Sequence, residues 1–248
     1  MKISGYARDV APVVAVIAVG WLWWNTVIPP ETTTLIESSV KIHATFPDIP
    51  VAHPTPRKTG LEDVGGSIGA GTVVGSILYR FVDGKHAVHA AIVSVAHVVK
   101  DAQNVDVEWK GKHIPGRVIA KDDELDLALV EVPVSLPKAE MFFGQVKVGM
   151  PQWTVGYPYG TGVSITYGFV STINPVMGLR QASASIWPGN SGGGVFIIHQ
   201  NHFVLVGVAD AVYVAQLSPQ QMAVVDTVGF FVTTNKVKKF LLENHVSL

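Results

Sequence analysis

Downstream of Gly60 the apolar residues come in short runs, rich in Val, Ile, Ala and aromatic side chains and broken by Gly, Pro, Asn or Asp. The runs at 71–81, 87–95, 104–109, 113–120, 127–132, 152–157, 164–173, 193–198, 203–212 and 229–232 predict β-strands. Many short strands with turn signals between them describe an all-β barrel or sandwich. Helical spacing stands out over 235–244, where Val237, Phe240 and Leu241 share one face and an Asn or Thr can cap the start. With no solenoid-length repeat and no low-complexity tract, 61–248 is expected to form one unit, which such a barrel set can build in two halves.

The N-terminus is patterned differently. Val10 to Pro30 contains no charged residue, and the 19 residues from Val10 to Ile28 would span about 28 Å as a helix, close to the roughly 30 Å of a hydrocarbon core. Pro12 falls in the first turn, and Trp21, Trp23 and Trp24 gather at the far end, where amphipathic rings favour the membrane interface. Residues 1–30 are therefore expected to be a signal anchor crossing the membrane once, with a cleaved signal peptide as the competing reading. Lys2 and Arg8 precede the segment while Glu31 and Glu37 follow it, which puts the N-terminus in the cytoplasm and the rest outside, periplasmic or extracellular. From 31 to 60 a scatter of prolines and a Thr run at 32–34 read as a linker or stalk, the alternative being that 40–46 packs on the domain as an edge strand or arm.

Composition narrows the function classes. Only 15% of the residues are charged and 48% are hydrophobic, which excludes wholesale disorder. Eighteen Lys plus Arg against nineteen Asp plus Glu leave a net charge of −1, with no basic footprint for nucleic acid. The chain has no cysteine, so disulfide scaffolds, thiolate metal sites and cysteine nucleophiles are all removed. His86 with His89 and His199 with His202 are three apart, a spacing that does not converge two imidazoles on a strand, so no metal is expected. Gly65–Gly71 (GGSIGAG) lacks the lysine of a phosphate loop, and no cofactor is expected either.

Three segments carry candidate chemistry. In Ala91–Val99 (AIVSVAHVV) an apolar strand ends at His97, which leaves one ring nitrogen for a substrate and the other for an orienting carboxylate. A lone histidine at such a place is more often structural. In Asp122–Val132 (DDELDLALVEV), Asp126 directly precedes a strongly apolar run, so its carboxylate is expected to be partly buried and to need a hydrogen-bonding partner. In Pro188–Phe196 (PGNSGGGVF), glycines flank Ser191 and permit a tight turn that can aim consecutive N–H groups at one point, the geometry of an oxyanion hole.

Together these segments resemble the chymotrypsin-like (trypsin-fold) serine proteases, most closely the catalytic domain of the high-temperature-requirement (HtrA) type, over about residues 65 to 243. Ser67–Gly75, Val155–Gly160 (VGYPYG), Ser164–Ile173, Gln181–Gly193 and Gly229–Leu241 extend the likeness. The resemblance implies a fold of two six-stranded β-barrels with a C-terminal helix, and a serine endopeptidase acting on protein or peptide substrates. It assigns Ser191 as nucleophile, His97 as general base, Asp126 as the acid that orients it, and the amides of Gly189 and Ser191 as the oxyanion hole. Ser185 and Ile186 would lie at the base of the specificity pocket, which favours small or medium apolar side chains, whereas Asp210 on a neighbouring wall would favour basic ones. No length remains after the final helix for the PDZ module usual in HtrA proteins, and the resemblance implies a homo-oligomer, trimers included. An inactive protease-like binding domain is the alternative function.

Overall fold

The structure, a computed structural model, describes residues 32–46, 66–172, 179–218 and 221–248. The predicted membrane segment 1–30 lies outside them, as does half of the predicted linker, and no helix among the described residues is long and apolar enough to cross a membrane.

A short helix α1 (Thr32–Glu37) leads into β1 (Ser39–Thr45), β2 (Gly66–Arg80) and β3 (His86–Ser94). A single helical turn α2 (Ala96–Val99) follows, then β4 (Asn104–Trp109), β5 (Lys112–Asp122) and β6 (Leu127–Val132). These strands close into a barrel in the order β1-β2-β3-β6-β5-β4, antiparallel throughout. Every residue of β6 is buried, and Ile42, Ile92, Leu127 and Leu129 fill the interior.

Part of the linker assignment is corrected here. Residues 39–45 are a barrel strand held on both sides, Val40 opposite Gly71 on β2 and Ile42 opposite Val107 on β4. The cause is a period-two pattern: Val40, Ile42 and Ala44 are buried while Lys41 and His43 face outward. Without β1 the barrel would expose two open edges.

The second half begins with β7 (Pro151–Gly156), a 3-10 turn at Pro158–Gly160, β8 (Ser164–Phe169) and β9 (Arg180–Ala182). It continues through β10 (Gly194–His199), β11 (His202–Ser218), β12 (Gln221–Thr233) and the closing helix α3 (Thr234–Glu243). The sheet order is β8-β7-β10-β11-β12-β9, and its edges meet where Ser183 N donates to Phe169 O and Ser171 N to Gln181 O. Val195, Ile197, Val206 and Phe231 form its core. The hairpin of β11 and β12 pairs out to Ser218 and Gln221, well past the predicted strand ends. All other predicted strands and the predicted helix are present within a few residues of their expected limits.

Candidate active site

His97 owes its position to the abrupt change from strand to helical turn after β3. In α2 the side chains of Ala96, Val98 and Val99 are buried, which leaves His97 as the residue turned outward. Asp126 grips this turn at three points. Its carbonyl accepts from Ala96 N at 3.1 Å, its Oδ1 from His97 N at 2.8 Å, and its Oδ2 from His97 Nδ1 at 2.5 Å. A carboxylate only accepts, so Nδ1 carries the proton and Nε2 keeps its lone pair. Asp126 itself has φ +50°, a left-handed backbone uncommon outside glycine and best tolerated by Asp and Asn.

Ser191 lies on two consecutive tight turns. Asn190 N donates to Trp187 O at 2.9 Å, and Gly193 N to Asn190 O at 2.9 Å. Each turn has glycine at its third position with positive φ, +97° at Gly189 and +90° at Gly192, the conformation a type II turn demands. A side chain at Gly192 would run into the Ala70 carbonyl and the Ser94 hydroxyl. The loop is clamped by both halves of the fold: Ala70 N of β2 donates to Ser191 O at 2.8 Å, and Gly192 N donates to Ala209 O of β11 at 2.7 Å.

The Pro188–Gly189 peptide is oriented from one side. Tyr159 N donates to Pro188 O at 2.6 Å, and in a trans peptide the Gly189 N–H then points the opposite way. Among the described residues, no backbone carbonyl accepts from the amides of Gly189 or Ser191. The Ser191 hydroxyl donates to the carbonyl of Asp210 at 3.3 Å.

His97 and Ser191 line one cavity of about 340 Å³, together with Ile186, Trp187, Pro188, Asp210 and Ala211. Of the expected specificity residues, Ile186 and Asp210 reach this cavity. Ser185 does not line it, and its carbonyl accepts from Thr166 Oγ1 at 2.8 Å. Trp187 and Ala211 are lining residues that the sequence did not single out. Their one signal was adjacency to Ile186 and Asp210.

Asp210 has a more definite place than a pocket wall. Its carboxyl lies beside that of Asp126: one side-chain nitrogen or oxygen from each of His97, Asp126 and Asp210 falls within 4.8 Å of the other two. Burial and the neighbouring Asp126 carboxylate push Asp210 up to about 7. Burial works in the same direction on Asp126, but the hydrogen bonds from His97 and Asp210 outweigh it and hold Asp126 down at about 2. His97 is raised by its hydrogen bond to Asp126 against the opposing effect of burial.

Residues 69–208 match the trypsin-like peptidase domain. The chain belongs to that family. Among curated relatives, an HtrA-like serine protease of Staphylococcus epidermidis is 30% identical over 198 residues, covering 69% of this chain and 32% of the relative. A probable serine protease do-like of Buchnera aphidicola is 26% identical over 205 residues, covering 78% of this chain and 38% of its own. The chain thus spans about a third of the length of these relatives. Among solved structures, an HtrA-type protease, AlgW, with a tripeptide superposes with a TM-score of 0.63 at 18% identity, covering 85% of this chain and 61% of that one. The serine endoprotease from Yersinia pestis gives 0.62 at 19% identity, covering 85% and 64%. At those identities the structural likeness speaks to the fold, which for this trypsin-like chain is all-β with two six-stranded sheets and a C-terminal helix.

Proposed function

We propose that the chain is a serine endopeptidase whose triad is Ser191, His97 and Asp126. The observation that carries the reading is the paired contact of Asp126 with the His97 backbone and Nδ1, which leaves Nε2 free beside the cavity that Ser191 also lines. In the reaction Ser191 Oγ turns from the Asp210 carbonyl to His97 Nε2, gives up its proton there and attacks the scissile carbonyl. The oxyanion that forms is met by the amides of Gly189 and Ser191, whose hydrogens have no backbone acceptor among the described residues to give up. His97 then returns the proton to the leaving amine, and water hydrolyses the acyl-enzyme by the same route reversed.

The apolar lining from Ile186, Trp187, Pro188 and Ala211 supports a preference for small or medium apolar side chains at the cleavage position. The nearness of the Asp210 carboxyl to Asp126 and His97 argues against its use as a partner for substrate Lys or Arg. We further propose that residues 1–30 anchor the chain in a membrane, with the N-terminus cytoplasmic and the peptidase domain outside, and that the domain assembles as a homo-oligomer.

A fluorophosphonate probe tests the central reading. Labelling of the wild type that is lost in Ser191→Ala and in His97→Ala is the expected result. A folded wild type that stays unlabelled from about pH 5 to 9 overturns it in favour of a protease-like binding domain. Peptide-library cleavage read by mass spectrometry tests the apolar preference.

A further inference from the structure

Asp210 stands behind the triad rather than within it, and its placement depends on a fault in the sheet. Along β11 and β12, Ala209 pairs with Phe231 and Ala211 pairs with Phe230, so Asp210 is the extra residue of a β-bulge. A bulge breaks the two-residue alternation and re-aims the side chain it carries. Here the bulged backbone presents its carbonyl to the Ser191 hydroxyl, while the side chain brings a carboxyl oxygen within 4.8 Å of one on Asp126. Two carboxyl groups this close can share a hydrogen bond only while one of them holds a proton. Asp126 already receives two N–H donors from His97, which favour its charged form, so the proton belongs to Asp210.

Other charge near Asp210 is sparse. His97 on α2 and Asp126 ahead of β6 face it directly, and a cavity behind it is lined by Glu124, Asp126 and Lys236 of α3. Among the described residues neither Lys236 nor any other cation forms an ion pair with Asp210. Its charge is therefore poorly compensated, in keeping with its rise to about 7.

We propose that Asp210 is a positioning residue of the proposed peptidase: its protonated carboxyl donates a hydrogen bond to Asp126, and loss of that proton makes activity fall on the alkaline side. The inference rests on the triad reading. With the proton present, Asp126 is held against His97 from both sides. When water takes the proton, two adjacent carboxylates repel, the brace is lost, and the extra negative charge holds His97 protonated to higher pH. Both effects lower the fraction of competent triads.

The test is the rate of fluorophosphonate labelling, and of cleavage of an apolar peptide, across pH in wild type, Asp210→Asn and Asp210→Leu. Wild type should give a narrow bell centred near neutrality. Asp210→Asn keeps a donor to Asp126 without a titrating proton. Its alkaline limb should disappear and its acid limb should move to lower pH by a few tenths of a unit or more. Asp210→Leu removes the donor and should lower kcat at least tenfold with KM little changed. A profile of Asp210→Asn that overlays the wild type overturns the proposal. So does unchanged profile shape with altered preference between Lys and apolar side chains, which would make Asp210 a specificity residue. If Asp210→Leu does not fold, the Asn profile decides alone. Wild type that never labels defeats the triad reading, whereas wild type that labels with an indifferent Asp210→Asn defeats this inference only.

Discussion

Asp126 combines three backbone and side-chain acceptors with a left-handed backbone, so its replacements separate chemistry from folding. Asn tolerates the same conformation, and Asp126→Asn should therefore fold. It would present an N–H to His97, favour the wrong tautomer and lower kcat on the order of 10⁴-fold. Asp126→Val should instead lose stability as well, because a β-branched residue resists positive φ. Comparing urea midpoints with kcat in the two variants checks both expectations. Gly192 makes a second case. Its φ of +90° and the nearby Ala70 carbonyl and Ser94 hydroxyl leave no room for a side chain. Gly192→Ala should cost about 1 to 3 kcal/mol or more, read as a lowered urea midpoint, and should abolish labelling because the loop can no longer hold its turn.

β1 connects a segment far from the triad to the oxyanion turn. Tyr157 Oη donates to Ser39 O at 3.2 Å and Lys41 Nζ to Gly160 O at 3.3 Å, so this strand braces the 157–160 turn that in turn holds Pro188 and Gly189. Leu35 and Ile42 are also fully buried in the first core. A chain shortened to 61–248 should therefore fail to close its first barrel and should aggregate, while 32–248 should fold and melt cooperatively. Size-exclusion chromatography and thermal unfolding of the two fragments check this. Milder damage, as in Lys41→Ala, removes two part-buried contacts, to Gly160 O and to the Glu108 carboxylate, and should lower Tm by several degrees while reducing labelling more than that loss of stability alone would.

For the molecule as a unit, the three coupled groups tilt stability with pH. Asp126 lies at about 2 when folded, below its ordinary value of 3.8, so its contribution is present above 3.8 and lost as pH falls through 2. Asp210 runs the opposite way: raised from 3.8 to about 7, it increasingly opposes folding as pH climbs through that window. His97, raised above 6.5, likewise contributes most below 6.5 and loses its contribution as pH passes its folded value. Net stability from this site should therefore decline from mildly acidic to alkaline pH. Asp210→Asn should recover on the order of 2 kcal/mol at about pH 8 and almost nothing at about pH 4, measured as Tm across pH.

The one-dimensional pattern determined a good deal here. Apolar runs of strand length separated by Gly, Pro and Asn made the all-β class legible, and the glycines around Ser191 marked a tight turn, because both signals are local. The strand at 39–45 was half legible: its alternation was present, but prolines on either side read as a stalk, and pairing with β2 and β4 involves partners tens of residues away. Asp210 was visible as an acid in a strand but not as a neighbour of Asp126, because a bulge between Ala209 and Ala211 turns it, and no local signal announces which residue a sheet will bulge. Ser185 illustrates the converse, an expected pocket residue kept away from the cavity by its place beside β8. Side-chain type and spacing settle what a segment prefers by itself. Register, bulges and the meeting of His97, Asp126 and Asp210 depend on long-range hydrogen bonds and packing that exist only once both halves have closed.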